Sequence, residues 1–93
     1  MSDGAPAERR VTILNKRGLH ARAAAKFVKL AGQFGAELTV TKDGVAVSGR
    51  SIMGLMMLAA GPGTELSIRA EGPDADAALD ALAGLVAAKF DED

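Results

Sequence analysis

The single histidine of this 93-residue chain, His20, lies two residues after Gly18 and directly before an alanine-rich segment. Neutral imidazole is abundant near pH 7, and one ring nitrogen keeps a lone pair that can attack an electrophile. Arg22 follows two residues later, and a guanidinium can pair with phosphate oxygens through two parallel hydrogen bonds. These residue types at this spacing suggest a nucleophile that accepts a phosphoryl group beside a cation that stabilises it.

The flanking patterns predict that His20 lies where a strand gives way to a helix. Residues 11–14 read Val-Thr-Ile-Leu, which is typical of a short strand. Downstream, apolar residues recur at the spacing of one buried helix face: Ala24, Phe27, Val28 and Ala31. The first N–H groups of a helix lack intrahelical acceptors, and the peptide dipoles leave roughly +0.5 charge there. We therefore expect the backbone N–H groups of Ala21 and Arg22 to bind phosphate oxygens.

A second interpretation gives His20 no chemical role. A lone histidine before a helix is most often a capping or surface residue, and the neighbouring glycine and arginine change that expectation only modestly. Residue chemistry alone therefore leaves both interpretations open.

Composition argues against several classes of function. The formal net charge of −1 gives no basic excess for binding nucleic acid. Without cysteine there are no disulfides or thiolate ligands, and one histidine does not make a structural zinc site, so we expect no metal and no cofactor. No apolar run approaches ~18 residues and the N-terminus is polar, so we expect neither a membrane span nor a signal peptide. The chain is expected to be a soluble, cytoplasmic monomer.

The chain is short enough for one small domain. Its patterns predict elements in the order βαββαβα. Strands are expected at 9–15, at 37–42, after the Asp43-Gly44 turn and at 65–71; helices are expected from 21 to 33 or 34, at 52–58 and from about 74 to 90. Val45 and Val47 are expected to point inward. Alternating strands indicate an α+β fold whose sheet has one solvated face and one face covered by three helices. We expect residues 1–8 to be a disordered extension, 9–90 the domain and 91–93 a frayed acidic tail.

Two segments resemble a known family. Gly18-Leu19-His20-Ala21-Arg22, followed about thirty residues later by Arg50-Ser51-Ile52-Met53-Gly54-Leu55-Met56, is similar to HPr. HPr is the histidine-containing phosphocarrier of the bacterial phosphoenolpyruvate-dependent phosphotransferase system. The similarity runs from about Val11 to Phe90, and it implies an open-faced β-sandwich with a four-stranded antiparallel sheet in the order 1-4-2-3. The family usually has proline after the arginine, where this chain has Ala23.

The resemblance also implies a function. Phosphorylated enzyme I would transfer its phosphoryl group to Nδ1 of His20, and Arg22 would stabilise the phosphate. The carrier would then pass the group to enzyme II A-type domains. It would act as a co-substrate rather than as a turnover enzyme.

An apolar docking patch is implied near the histidine. By the resemblance it contains Ile52, Met53 and Met56, whereas helix phase directs Leu55 and Leu58 inward. For Met57, burial in the core and exposure are both open. Further docking residues are expected at Ala25 and along a basic rim that would steer an acidic partner: Arg17, Lys26, Lys29 and Arg50. For Lys26 an ordinary solvated helix face is the favoured alternative.

Ser51 has two interpretations. As the N-cap of the short helix it would satisfy a backbone donor. By the resemblance it could also be the regulatory target of HPr kinase/phosphorylase, and a phosphoserine would add −1.5 to −2 charge within the docking patch.

Two broader alternatives are open. Residues 15–22, 57–58 and 90–93 resemble the nitrogen-related branch of the family, whereas the Ser51 context resembles the sugar-transport, kinase-regulated branch; we favour a regulatory carrier. The competing class is a non-catalytic α+β interaction module that uses the patch of Ile52, Met53 and Met56, with His20 only as a helix cap.

Overall fold

The computed structural model describes residues 6–92, which form four strands and three helices. The strands are β1 (Ala7–Thr12), β2 (Glu37–Lys42), β3 (Val45–Ser48) and β4 (Glu65–Glu71). The helices are α1 (Ala21–Ala31), α2 (Ile52–Met57) and α3 (Ala75–Ala87), and a single 3₁₀ turn covers Lys89–Asp91. All strand pairs are antiparallel, in the order β1-β4-β2-β3. The predicted fold and strand order are confirmed.

The sheet buries one face, as the alternating pattern predicted. In β4, Leu66, Ile68 and Ala70 are buried while the residues between them are not. The helices supply the other half of the core through large apolar side chains that are almost fully buried, including Phe27, Leu55 and Leu82. None of the helices formed by residues 6–92 is long and apolar enough to cross a bilayer.

Three expectations about the sheet and α1 need correction. Val45 is 57% exposed rather than inward, because β3 is an edge strand and Val45 lies at the hairpin end of it. The first strand begins at Ala7, not Arg9, because Ala7 pairs with Ala70 at the end of β4. Helix α1 ends at Ala31, two or three residues earlier than expected, and Gly32 caps it with its N–H directed to carbonyls of the last turn. Of the expected extension at 1–8, residues 1–5 lie outside the described residues.

The C-terminal segment is an ordered strap and not a frayed tail as far as Glu92. Lys89, Phe90 and Asp91 all have left-handed backbone conformations, with φ of 57°, 55° and 60°. Phe90 is completely buried, and Lys26 Nζ donates a 2.6 Å hydrogen bond to its carbonyl oxygen. This turn reverses the chain after α3 and directs Glu92 towards the start of α1.

Candidate functional site

A tight turn at Gly18 prepares the position of His20. Gly18 has a φ of +64°, and its N–H donates to the carbonyl of Asn15 at 3.2 Å. The next residue, Leu19, is buried and donates its N–H to the carbonyl of Ala60 at 2.9 Å. The loop that carries the histidine is therefore fixed by backbone contacts on both sides.

His20 is the N-cap residue of α1. Its backbone is extended (φ −76°, ψ 179°), and its carbonyl accepts the N–H of Ala24 at 2.8 Å. Within residues 6–92 its side chain makes no capping hydrogen bond, so the imidazole is not used to satisfy the helix terminus. The helix begins without the proline usual in the family; Ala23 is fully buried in the first turn.

The imidazole instead contacts Glu92, a residue that sequence reasoning missed. His20 Nε2 lies 3.0 Å from both Oε1 and Oε2 of Glu92, and the two side chains are 17% and 18% exposed. The residues are 72 positions apart, so no local pattern connects them. No signal in the sequence predicted this contact, because the last helix was expected to continue to about residue 90, whereas α3 ends at Ala87.

Asn15 connects this pair to the loop. Its side chain is fully buried, and Nδ2 donates to Gly18 O at 2.8 Å and to Glu92 Oε1 at 2.9 Å. The Asn15 hydrogen bond is the main cause that lowers the pKa of Glu92, followed by the hydrogen bond and charge of His20 and by the Lys26 charge; desolvation opposes them. The lowered pKa favours the carboxylate form, which only accepts hydrogen bonds.

Basic residues flank this arrangement on its solvent side. Arg17 borders a cleft that also includes Leu19, His20 and Met56. On the other side Arg17 shares a second depression with Lys16, Arg22 and Glu92. Arg17 and Arg22 are both exposed, so their guanidinium groups are accessible to an anion that approaches the start of α1.

Other members of the expected basic rim lie elsewhere. The guanidinium of Arg50 donates to the carbonyls of Phe34 and Ala36, at 3.1 and 2.9 Å, just beyond the C-terminal end of α1. Because α1 has 11 residues and rises 1.5 Å per residue, this end is about 16 Å from His20. Arg50 therefore holds the segment that follows α1, and its role in docking stays a prediction.

The two expected lysines also differ in their surroundings. Lys29 is exposed in the last turn of α1, distant from the histidine, and Ala25 is exposed on the same helix. Lys26 is not an ordinary solvated side chain, because its ammonium group holds the Phe90 carbonyl.

Helix α2 presents an apolar surface next to the histidine. Four of its side chains are exposed although they are large and hydrophobic: Ile52 (39%), Met53 (73%), Met56 (43%) and Met57 (77%). Leu55 and Leu58 point into the core, with exposures of 0% and 4%, as helix phase predicted. Met57 does not fill the core. Because Met56 also lines the His20 cleft, the apolar surface and the imidazole share one side of the molecule.

Ser51 is the N-cap of α2. Its Oγ accepts the N–H of Gly54 at 2.9 Å, and the residue is half-buried. The capping interpretation is confirmed by this hydrogen bond. Within residues 6–92 no group of three acidic or histidine side chains could hold a metal ion.

The sequence of this chain is similar to those of known phosphocarrier proteins. The family model described as "PTS HPr component phosphorylation site" matches residues 7–88. Phosphocarrier protein NPr of Shewanella violacea is 53% identical over 85 residues, which cover 91% of this chain and 93% of that protein. Phosphocarrier protein HPr of Cupriavidus necator is 48% identical over 85 residues, which cover 91% of this chain and 96% of that protein.

Solved structures are similar over nearly the whole chain. A crystal structure of HPr from Thermoanaerobacter tengcongensis has a TM-score of 0.89 at 42% identity, and covers 94% of this chain and 98% of that one. The crystal structure of HPr from Bacillus anthracis has a TM-score of 0.84 at 48% identity, and covers 88% of this chain and 98% of that one.

Proposed function

Because the chain belongs to the HPr family of phosphocarrier proteins of the phosphotransferase system, we propose that His20 is the residue that carries the phosphoryl group. One observation carries this assignment: the single histidine caps the N-terminus of α1 without using its imidazole for capping. The ring is therefore available for chemistry beside backbone donors and a positive helix end. A histidine that served only as a helix cap, as in an interaction module, would use its side chain for that hydrogen bond.

In the proposed step, phosphorylated enzyme I presents its phosphohistidine to neutral His20. Nδ1 attacks the phosphorus in line, so that the Nδ1–P bond forms while the bond from phosphorus to the donor nitrogen breaks. The phosphoryl oxygens are stabilised by the N–H groups of Ala21 and Arg22 and by the exposed Arg22 guanidinium. No step needs a metal on this chain, since such transfers depend mostly on positioning and charge stabilisation.

Onward transfer sets a limit on how tightly the phosphate is held. The phosphorylated carrier must release the group to an enzyme II A-type domain, so an overly stable complex would slow the second step. Arg17 and Arg22 are exposed and not buried, which suits moderate stabilisation. The proposal describes a transient phosphohistidine on a co-substrate in the cytoplasm.

Docking is proposed to use the apolar surface of α2. Ile52, Met53 and Met56 are exposed on α2, and Met56 lines the His20 cleft. Flexible thioethers adapt to different partner surfaces. Enzyme I and enzyme II A-type domains would then bind the same side of the carrier, one after the other. Arg17 would attract acidic partners to this side.

Ser51 is proposed as a regulatory site for HPr kinase/phosphorylase. A phosphate on its oxygen would lie at the first turn of α2 and bring −1.5 to −2 charge next to Ile52 and Met53. That charge would weaken docking of an acidic partner without removing the acceptor used by Gly54. The relatives include both NPr and HPr, so the regulatory branch stays a prediction.

The test of the carrier assignment uses enzyme I and labelled phosphoenolpyruvate. We expect acid-labile label on the wild-type chain and none on His20→Ala. Arg22→Ala should accept label at least about tenfold more slowly than the wild type. Its unfolding temperature should equal that of the wild type, because the side chain is exposed. As a matched control, Arg69→Ala removes an exposed arginine from the sheet and should leave the rate unchanged. Retention of label by His20→Ala would refute the assignment.

A further inference from the structure

Three side chains form a hydrogen-bonded chain that ends on the imidazole. Asn15 Nδ2 donates to Glu92 Oε1, and the carboxylate in turn contacts His20 Nε2 with both oxygens. Since Glu92 already accepts from Asn15 and is ionised, the hydrogen between the ring and the carboxylate belongs to Nε2. The remaining ring nitrogen, Nδ1, then carries the lone pair.

The orientation of Asn15 is fixed by its neighbours. Its amide nitrogen faces two acceptors, Gly18 O and Glu92 Oε1, so a flipped amide would set oxygen against oxygen. The consequence is that Oδ1 is buried and accepts no hydrogen bond from any of residues 6–92. A buried acceptor without a donor destabilises a fold. Asn15 is thus poorly suited to stability alone and well suited to holding Glu92.

The backbone immediately before Glu92 is strained, and its turn directs the Glu92 side chain to His20. Lys89, Phe90 and Asp91 are three consecutive non-glycine residues with φ between 55° and 60°, a conformation unfavourable for L-residues. Burial of Phe90 and the Lys26 hydrogen bond hold this turn in place. Strain that persists in one short segment, next to a reactive side chain, points to a functional reason for its geometry.

We propose that Glu92 is a positioning residue which, held by Asn15, fixes His20 as the Nε2–H tautomer and directs the Nδ1 lone pair to the incoming phosphorus. The role of this tautomer in phosphoryl transfer rests on the proposed function. The presence of the tautomer follows from the hydrogen bonds alone. As Nδ1 bonds to phosphorus, the ring becomes positively charged and Nε2 keeps its proton. The Glu92 carboxylate stabilises that charge at the moment it develops.

Nuclear magnetic resonance of a chain labelled with 15N-histidine tests the tautomer directly, because His20 gives the only imidazole signals. In the wild type at neutral pH we expect one protonated nitrogen, Nε2, whose hydrogen exchanges slowly enough to be observed. Glu92→Gln keeps the side-chain size but offers both a donor and an acceptor. In this variant the ratio of the Nε2–H to the Nδ1–H tautomer of His20 should fall roughly threefold or more. The slowly exchanging hydrogen signal should be lost.

Asp91→Asn is the matched control. It removes one negative charge from the adjacent position, keeps a residue type that tolerates left-handed backbone, and should leave both ring signals unchanged. An unchanged tautomer ratio in Glu92→Gln, or an equal shift in both variants, would overturn the proposal.

The second measurement is the rate of phosphoryl acceptance from enzyme I. Glu92→Gln should lower the maximal rate about three- to tenfold without changing the carrier concentration that gives half of that rate, because the Glu92 side chain is only 18% exposed and is held by Asn15 and His20. A shifted tautomer with an unchanged rate would refute the positioning role. Failure of the carrier assignment would appear separately, as label retained by His20→Ala, and would leave the tautomer result standing.

Discussion

Replacement of Gly18 by alanine should be far more damaging than the same change at another left-handed glycine. A Cβ on Gly18 would lie 2.3 Å from the carbonyl oxygen of Ala60 and 2.9 Å from Gly61 Cα. Both atoms are backbone, so neither can rotate away. Gly44, in the β2–β3 turn, also has a positive φ of 83°, but a Cβ there meets nothing within 4 Å.

The magnitude can be worked out from these contacts. Left-handed backbone costs an L-residue about 1 kcal/mol at either position. At Gly18 the loop must also move away from Ala60, which loses the 2.9 Å hydrogen bond from Leu19, worth about 1 kcal/mol. Repacking of Leu19, now 5% exposed, brings the total to about 2–4 kcal/mol. At about 4–8 °C per kcal/mol for a domain of this size, Tm should fall by at least ~8 °C for Gly18→Ala and by ~4–8 °C for Gly44→Ala.

Urea denaturation followed by circular dichroism gives both free energies of unfolding. The m-values should match the wild type, since the surface exposed on unfolding is unchanged. The turn at Gly18 also fixes His20, so Gly18→Ala should accept phosphoryl groups more slowly even below its unfolding transition, whereas Gly44→Ala should not. Equal destabilisation by the two substitutions, within about 0.5 kcal/mol, would refute the close-approach argument.

Three further predictions follow from the site. Ser51→Ala should lower the free energy of unfolding by about 1 kcal/mol through loss of the α2 cap, whereas Ser51→Asp should keep that stability in the same denaturation assay and bind enzyme I more weakly by calorimetry. Arg50→Ala should also cost about 1 kcal/mol, because two carbonyls lose their donor, but its rate of phosphoryl acceptance should stay within twofold of the wild type; a larger loss would return Arg50 to the docking surface. The pKa of Glu92 is lowered from 4.5, so its stabilising contribution should be fully present above about pH 5 and lost as the pH falls through the lowered value. Acid titration of the wild type against Glu92→Gln measures this, and parallel stability curves below pH 5 would contradict it.

Local sequence patterns were sufficient to predict most of the strands and helices. The alternation of Leu66, Ile68 and Ala70 predicted β4 with its observed ends, because one face of a half-buried strand is set by period two. For β3 the same pattern predicted two inward valines, but only Val47 packs against the core, because Val45 lies at the hairpin end of an edge strand and is 57% exposed. The left-handed turn around Phe90 has no glycine to reveal it, so its existence depends on tertiary contacts alone.

The candidate site was predicted only in part. His20 at a helix start is a local feature, and the exposure of Met53 and Met56 followed from helix phase once Leu55 was assigned to the core. For Met57 the sequence left burial and exposure both open. Glu92 was expected to fray because acidic chain ends usually do, and its contact with His20 spans 72 positions. Arg50 was assigned to a rim from charge alone; the sequence could not reveal that two open carbonyls lie within its reach.

The sequence distance between the two ends of the hydrogen-bonded chain has a consequence for folding. The loop that carries the imidazole precedes β2 and β4, the two inner strands of the sheet, whereas Glu92 follows them, 72 positions after His20. We expect the contact to close only after the sheet and α3 have assembled, because the entropy lost in closing so long a loop must be offset by packing such as the burial of Phe90. A fragment that stops within α3 should therefore fold without a carboxylate beside the imidazole.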